Sequence, residues 1–419
     1  MTLKKEIDTL VRQTKEASKA LAVASTELKN RALLRMAGGL RAESRLLMEA
    51  NKKDLTLATR RGKSKAFLDR LVLNQKGIGG MIESLKTIAG LADPVGEIVQ
   101  MSRLPNGLSL GKMKVPLGVI AIIYESRPNV TSDTAGLCLK SGNAVILKGG
   151  SEALASNKAI ASVLQRALKE SGLPPFAVSL IQQSGHEAVR YLLRQTEWID
   201  LVIPRGGESL IREVTKFSRI PVIKHDKGIC HVYVDSESDL NMAERIILNA
   251  KVERPGTCNA METLLVHEEV APRFLPPMLR RLQDKSVEIR GCDRTRRMIK
   301  GLKRATVKDF RTEYLDLILS VRIVKDLSEA IQHIREYGSM HTDAIVTENH
   351  ENAMRFLQEV DSACVFVNAS TRLNDGGVFG MGAEIGISTG KLHARGPMGL
   401  NELTSYKFVG FGSGQIRTS

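Results

Sequence analysis

A cysteine in a glycine-containing turn is the residue of this sequence best suited to covalent chemistry. Cys258 follows the segment RPGT (254–257) and precedes the apolar run METLLV (261–266), which predicts a turn between a helix and a strand. The thiolate is the nucleophile, and a free thiol with a pKa of about 8.5 is only slightly ionised at neutral pH. Arg254 or oriented backbone N–H groups could stabilise the thiolate. The alternative is a buried cysteine that packs as a small hydrophobic residue.

The other four cysteines are predicted to be buried small residues of that kind. Their separation along the chain matches neither the paired spacing of a zinc site nor that of a redox dithiol. We therefore expect no metal centre, and free thiols are typical of a reducing compartment such as the cytoplasm. These four are Cys138, Cys230, Cys292 and Cys364.

Two further positions suit the binding of a nucleotide. Lys148 ends the apolar run AVILK (144–148), and nucleotides bind at the carboxyl edge of an open parallel sheet, where a lysine can reach a ribose or a phosphate. Otherwise Lys148 is surface charge. Gly206 and Gly207 follow the run IDLVIPR and open a helix, which suits a pyrophosphate or nicotinamide. The pair is not a G-x-G-x-x-G fingerprint, so alone it is a weak signal.

The elements that position these residues follow from the hydrophobic pattern. Residues 1–90 have apolar residues at three- and four-residue intervals, which predicts helices. From about residue 108, short apolar runs alternate with helical segments, as in βαβ units with a parallel sheet. The same alternation resumes after residue 259. The sequence therefore predicts two doubly wound α/β domains, followed from Leu373 by a glycine-rich tail suited to turns.

The composition narrows the class of partner. The 419-residue chain has a formal charge of +15 and a pI near 9.6, which could indicate nucleic-acid binding. Aromatic residues make up only 4%, which leaves few stacking platforms, and the basic residues form no recognisable nucleic-acid module. We favour solvated surface charge that attracts a small anionic substrate, and expect no nucleic-acid partner.

No membrane or export segment is expected either. The longest apolar runs, such as Val119–Tyr124, have the length of a strand. The N-terminus mixes both charge signs at helical spacing and has no uninterrupted apolar region, so we interpret it as a cytoplasmic amphipathic helix.

Several long motifs, in order along essentially the whole chain, resemble the γ-glutamyl phosphate reductase family of the aldehyde dehydrogenase superfamily. The resemblance implies a cofactor domain at 1–250, a catalytic domain at 251–372, and a segment 373–419 that returns to the cofactor domain. It also implies a small β oligomerisation element, made by a hairpin near 98–118 and a C-terminal strand. The motifs are YESRPNVTSDTAGLCLKSGNAVILKGG, RPGTCNAMETLLV, LNDGGVFGMGAEIGIST and KLHARGPMGL.

The reaction implied by this resemblance is NADPH-dependent reduction of L-glutamyl 5-phosphate to L-glutamate 5-semialdehyde, with release of phosphate, in proline biosynthesis. Cys258 would form a thioester, and the backbone N–H of Cys258 together with Asn129 would stabilise the oxyanions. Arg127, in the same turn as Asn129, could instead bind the phosphoryl group, because its guanidinium suits that anion. Arg127 and Asn129 could instead only shape the turn.

The cofactor and substrate residues are also implied by the resemblance. NAD-dependent relatives often hold the adenosine ribose with a glutamate where this chain has Ser151, so Lys148 is free for a 2′-phosphate and NADPH is expected. Asp316 stands where relatives hold the nicotinamide ribose, or is only the start of a surface strand. Residues 370–372 (Ser370, Thr371, Arg372) are the candidates for the glutamyl α-amino and α-carboxylate groups.

The main alternative is a hydrolytic NAD(P)-dependent semialdehyde dehydrogenase. Hydrolytic relatives carry a water-activating glutamate upstream of the cysteine, and this chain has His225 there, which favours the phosphate-releasing reaction. His225 could still act as a base or only complete a strand. Phosphate dependence separates the two reactions. We also expect a homo-oligomer and consider a transient contact with glutamate 5-kinase, which would hand over the unstable acyl phosphate.

Overall fold

The chain divides into two compact units. The computed structural model describes residues 3–183, 185–224 and 227–417. The first unit comprises Met1–Lys224, Gly380–Gly386 and Met398–Ser419, and the second comprises His225–Phe379 and Ile387–Pro397. The chain thus passes between the units after residue 224, whereas the sequence analysis put the end of the first domain at residue 250. The roles assigned to the domains stay predictions.

The helices confirm the predicted helical region at the N-terminus and the helical segments that alternate with strands. Their bounds are α1 (Leu3–Ala22), α2 (Thr26–Ala42), α3 (Ser44–Arg60), α4 (Lys65–Leu71), α5 (Gln75–Gly90), α6 (Asn129–Lys140), α7 (Leu154–Glu170), α8 (His186–Leu192), α9 (Glu208–Phe217), α10 (Leu240–Val252), α11 (Ala271–Asp284), α12 (Asp293–Met298), α13 (Val307–Phe310), α14 (Leu327–Tyr337) and α15 (His350–Glu359). In the part of the chain that the structure describes, no helix has the length and apolar character that crossing a membrane requires.

Most strands lie where the short apolar runs predicted them, whereas the strands Lys303–Arg304, Gly386–Ser388 and Gly396–Met398 were not predicted. Their bounds are β1 (Ile98–Arg103), β2 (Ser109–Pro116), β3 (Val119–Tyr124), β4 (Ala144–Lys148), β5 (Val178–Leu180), β6 (Leu201–Arg205), β7 (Cys230–Val234), β8 (Met261–His267), β9 (Glu288–Gly291), β10 (Lys303–Arg304), β11 (Ile318–Val324), β12 (Thr342–Val346), β13 (Cys364–Val367), β14 (Gly386–Ser388), β15 (Gly396–Met398) and β16 (Thr404–Phe411).

The first unit is built on a parallel sheet with the strand order β5-β4-β3-β6. All residues of β3 and β4 are buried, because helices cover a parallel sheet on both faces and its strands are then apolar throughout. The N-terminal helices pack by their apolar stripes. On α2 the buried residues recur every three or four positions, as in Leu33, Ala37 and Leu40. The residues of this core are therefore those that the apolar runs and the helical spacing of apolar residues indicate.

A separate antiparallel sheet of the first unit has the order β1-β2-β16. Strand β16 pairs with β2 along its whole length, from Thr404 opposite Pro116 to Phe411 opposite Ser109. The predicted hairpin and C-terminal strand are therefore confirmed as strands. Large side chains of β16 are exposed, 54% for Tyr406 and 62% for Phe408, which is unusual for residues of this size. The role of this sheet in oligomerisation stays a prediction.

The second unit is built on a seven-stranded parallel sheet with the order β10-β9-β11-β8-β7-β12-β13. Strands β7 and β8 lie at its centre and are wholly buried. Strand β13 lies at an edge, so all its residues are only partly buried. The predicted second α/β domain is therefore present. Loops at the ends of the central strands can hold functional groups. Cys258 lies in the loop before β8, three positions ahead of its first residue, Met261.

Two buried histidines of the second unit, His231 and His333, lie with their ring centroids 5.5 Å apart. His231 Nδ1 lies 2.8 Å from Asp343 Oδ1, and Arg322 Nη1 lies 3.1 Å from His333 Nδ1. The His333 ring packs edge-on against Phe310, with 4.9 Å between the ring centroids. Burial, and then the electrostatic effects of His231 and Arg322, lower the pKa of His333 from 6.5 to about 2.

This arrangement predicts acid sensitivity. Because the folded pKa of His333 lies below the unfolded value, the linked stability is complete above pH 6.5 and is lost as the pH falls toward 2. The free energy of unfolding of the wild type should fall between pH 7 and pH 5 by about 2 kcal/mol more than that of His333→Gln. Urea denaturation at the two pH values measures this. Exposed His350→Gln is the control, and an equal loss in all three proteins would contradict the prediction.

Candidate active site

A buried ion pair closes the loop that carries Cys258. Lys251, in the last turn of α10, lies 2.7 Å from Glu262 in β8, and their side chains are 0% and 1% exposed. The second oxygen of Glu262 accepts a hydrogen bond from Leu315 N at 3.0 Å. Burial raises the pKa of Glu262 to about 7, although Lys251 opposes the shift. Residues 253–260 therefore form a loop whose two ends are fixed to each other.

Cys258 lies in this loop, partly exposed, as the sequence predicted. Its backbone is held from the segment that precedes β7. Gly228 is so close that an added Cβ would overlap the carbonyl oxygen of Cys258. The buried thiol of Cys230 donates to the same oxygen at 3.2 Å, and Gly228 N donates to Glu313 Oε1 at 3.0 Å. The peptide group that follows the nucleophile is thereby fixed in position.

Asn259 connects the cysteine loop to the segment that contains residues 370–372. Its Nδ2 donates to Asn374 O at 3.0 Å and to Arg372 O at 3.4 Å, and Arg372 Nη1 donates back to Asn259 Oδ1. Thr257 Oγ1 donates to Asn259 Oδ1 at 3.0 Å. The structure therefore brings three of the sequence-predicted residues, Ser370, Thr371 and Arg372, beside the loop of Cys258.

The polar groups of this segment are buried and incompletely used within the described residues. The Arg372 side chain is 12% exposed, lies 3.8 Å from Glu253 through Nε, and that nitrogen has no hydrogen-bond partner there. The fully buried Thr371 hydroxyl likewise has none. Ser370 Oγ accepts from Arg372 N at 3.3 Å. Buried donors without partners are costly, so they commonly indicate a ligand.

The first unit holds the residues predicted for the cofactor. Lys148, at the end of β4, is 6% exposed and its Nζ donates to Gly149 O at 2.9 Å. Burial lowers the pKa of Lys148, while the negative charge of Glu152 acts in the opposite direction. Ser151 Oγ lies 3.3 Å from Glu152 Oε2. Position 151 has no carboxylate, but the next residue, Glu152, supplies one that acts electrostatically on Lys148.

Gly206 and Gly207 lie where β6 leads into α9, and Gly207 is the N-cap of that helix. An added Cβ at Gly206 would be 2.6 Å from Cδ of the exposed Glu125, so a larger residue there would require the Glu125 side chain to shift. Four residues after Glu125, the exposed Asn129 begins α6. Its Nδ2 donates to Asp133 at 2.9 Å. Burial raises the pKa of Asp133. Arg127 is exposed in the turn before Asn129.

The remaining predicted positions have mixed outcomes. Asp316 is exposed, and its carboxylate accepts a hydrogen bond from Leu317 N at 2.7 Å. His225 lies outside the described residues. None of the five cysteines, which all lie in the described part of the chain, forms a disulfide, and Cys138 and Cys230 are buried as predicted. For Cys292 and Cys364 the prediction of burial is wrong, because Cys292 caps the short helix α12 and Cys364 begins the edge strand β13.

Several functional contacts were missed by the sequence analysis. Most of the partners are far apart along the chain, as are Gly228 and Glu313, which are separated by 85 positions. Even Lys251 and Glu262 are 11 residues apart, so no local pattern indicates these contacts. The one usable signal was position, since Asn259 directly follows Cys258. The missed residues are Gly228, Lys251, Asn259, Glu262 and Glu313 in the second unit, and Lys63 and Glu152 in the first.

Comparison with known proteins identifies the family. The model of a protein family described as "Aldehyde dehydrogenase family" matches residues 2–295. The chain belongs to this family, whose members are oxidoreductases, and the predicted fold class is confirmed. Family membership together with the reductase names of its relatives implies a nicotinamide cofactor.

The full-length relatives carry a more particular name. A gamma-glutamyl phosphate reductase of Thermodesulfovibrio yellowstonii is 54% identical over 417 residues, which is 100% of both chains. One of Caldanaerobacter subterraneus is 55% identical over 98% of this chain and 100% of its own. The crystal structure of the gamma-glutamyl phosphate reductase of Thermotoga maritima matches with a TM-score of 0.97 and 47% identity, over 99% of this chain and 100% of the other.

The contact between Gly228 and the Cys258 carbonyl can be tested by adding one methyl group. Gly228→Ala should lower the free energy of unfolding by about 3 kcal/mol, because the new Cβ overlaps backbone that cannot move away. It should also change the rate at which iodoacetamide labels Cys258. Gly256→Ala is the matched control, since its Cβ would be at ordinary contact distance, 3.7 Å from Leu315 O. Equal stability and labelling in the two variants would contradict this account.

Proposed function

We propose that this protein uses NADPH to reduce L-glutamyl 5-phosphate to L-glutamate 5-semialdehyde and phosphate, a step of proline biosynthesis. The observation that carries the proposal is the contact between Asn259 and Arg372, because it holds a cation suited to an anionic substrate beside the loop of a partly exposed cysteine. The names of the full-length relatives support the same substrate.

In the first step, the Cys258 thiolate attacks the acyl carbon of the substrate. A carbon–sulfur bond forms, the bond from carbon to the phosphate oxygen breaks, and phosphate leaves with the electron pair. Phosphate is a good leaving group, so no acid is needed to protonate it. The backbone N–H of Cys258 and the side-chain amide of Asn129 are the proposed donors to the oxyanion. Asn129 gives one amide hydrogen to Asp133 and has a second available.

In the second step, the thioester accepts a hydride. A nicotinamide bound in the first unit would supply this hydride, and the backbone N–H of Cys258 and the amide of Asn129 would stabilise the resulting oxyanion on the acyl carbon. Collapse of the tetrahedral species breaks the carbon–sulfur bond, releases the aldehyde and restores the Cys258 thiolate. The fixed carbonyl of Cys258, held by Gly228 and Cys230, orients the peptide that follows the nucleophile in both steps.

The substrate has three charged groups that the protein must bind: the α-carboxylate, the α-ammonium and the phosphoryl group. Arg372 is the proposed partner of its α-carboxylate, since Nε has no hydrogen-bond partner among the described residues. Ser370 and the buried Thr371 hydroxyl are the proposed partners of the polar groups around the α-carbon. Arg127, exposed in its turn, is the proposed partner of the phosphoryl group. A guanidinium suits both anions because its N–H groups match two oxygens at once.

The cofactor is proposed to lie at the carboxyl edge of the first unit's sheet. Lys148 and Ser151 would hold the adenosine ribose and its 2′-phosphate, and Lys148 fits because only one of its ammonium hydrogens is used, by Gly149 O, within the described residues. Gly206 and Gly207 allow close approach of the dinucleotide to the backbone. Asp316 is the proposed partner of the nicotinamide ribose.

The proposal extends to assembly and location. The exposed Tyr406 and Phe408 support a role of the sheet β1-β2-β16 in a homo-oligomer, because apolar surface of this kind is stabilised when a second copy covers it. A small-molecule biosynthetic reaction with a reactive thiol suits the cytoplasm. Glutamate 5-kinase remains the proposed transient partner, since it would make the unstable acyl phosphate.

The reverse reaction tests this function. Purified protein should reduce NADP⁺ with L-glutamate 5-semialdehyde only when phosphate is present, because phosphate must release the acyl group from Cys258. Cys258→Ala should lower the rate by at least about 1,000-fold. Cys292→Ala, the same change at another partly buried cysteine, is the control and should keep the wild-type rate. Turnover without phosphate would instead support the hydrolytic reaction.

A further inference from the structure

One carboxylate at the edge of the first unit's sheet is paired with one lysine and acts electrostatically on a second. Lys63 Nζ, in the turn between α3 and α4, lies 2.9 Å from Glu152 Oε1, and the two side chains are 35% and 22% exposed. Glu152 also acts electrostatically on the buried Lys148. Burial is the largest influence on the pKa of Glu152 and raises it, but the hydrogen bonds and the positive charge of Lys63, a backbone N–H and Ser151 together outweigh burial, so the net shift is downward. The carboxylate is therefore ionised at neutral pH.

The charge of this group of three is unbalanced. Lys63 and Lys148 carry two positive charges and Glu152 one negative charge. Ser151 lies 3.3 Å from Glu152 through its hydroxyl and adds a neutral donor. A cluster with an excess of cations and unused donors is suited to an anion with several oxygens, and a phosphate monoester is such a group. The Lys63 side chain is exposed enough to move from the carboxylate to a ligand.

We propose that Lys63 binds the 2′-phosphate of the adenosine half of the cofactor together with Lys148 and Ser151, and that Glu152 holds Lys63 when no phosphate is present. This assignment rests on the proposed function, whose NADPH preference it explains by a specific residue. The 2′-phosphate would replace the Glu152 carboxylate as the partner of Lys63. A cofactor with a 2′-hydroxyl has no charge with which to compete, so Lys63 would stay paired with Glu152.

This exchange predicts opposite effects of the two partners on selectivity. Removing the charge of Lys63 should weaken only ligands that carry a 2′-phosphate. Removing the charge of Glu152 should strengthen their binding, because the phosphate then meets no competing and repelling carboxylate. Neither change should alter the binding of a ligand that ends in a 2′-hydroxyl at this position.

Binding of cofactor fragments tests the proposal without any measurement of turnover. Isothermal titration calorimetry would compare 2′,5′-ADP, which carries the phosphate, with 5′-AMP, which lacks it. The wild type should prefer 2′,5′-ADP. Lys63→Gln should weaken 2′,5′-ADP by roughly tenfold, the effect of one charge-assisted contact, and leave 5′-AMP unchanged. Lys63→Arg should restore most of the loss, and Glu152→Gln should tighten 2′,5′-ADP.

The control is Lys65→Gln, the same change at an exposed lysine two residues away, which should bind both fragments as the wild type does. Unchanged 5′-AMP binding also reports that each variant is folded. If the wild type prefers 2′,5′-ADP and Lys63→Gln keeps that preference, the assignment of Lys63 is wrong while the proposed function stands. If the wild type does not distinguish the two fragments, the NADPH preference itself is wrong.

Discussion

The buried ion pair between Lys251 and Glu262 is the constraint on which the rest of the cysteine site depends. Removing two charges from water is costly, and breaking such a pair by removing one partner leaves an uncompensated charge in the interior. The pair fixes the last turn of α10 to the start of β8, so the loop between them has a defined shape. Within that loop, the Cys258 backbone packs on Gly228 and Asn259 reaches Arg372. Without the closure, neither contact would be held.

The proposed anion sites of the two units rest on one physical principle. In each, cations lie beside the end of a strand or helix with polar groups that the protein uses only in part: Arg372 with Thr371 in the second unit, and Lys148 with Lys63 in the first. If these groups bind anions as proposed, part of the formal charge of +15 serves that binding, as the composition favoured.

The sequence predicted those features that depend on local pattern. Short apolar runs predicted the parallel strands, and the segment RPGT predicted the turn that carries Cys258. Long-range contacts could not be predicted in this way: Asn259 and Arg372 are 113 residues apart, and no local rule pairs Lys63 with Glu152. The same reason explains the error at Cys364, whose exposure follows from the edge position of β13, a property of strand order rather than of the strand itself.

The central claim is that Cys258 carries the acyl group as a thioester that phosphate releases. Mass spectrometry of the protein after incubation with L-glutamate 5-semialdehyde and NADP⁺, with phosphate left out, tests it most directly. One γ-glutamyl group is expected on the peptide that contains Cys258, and it should disappear when phosphate is added. An unmodified Cys258 together with the accumulation of free glutamate, or an acyl group on another residue, would contradict this claim.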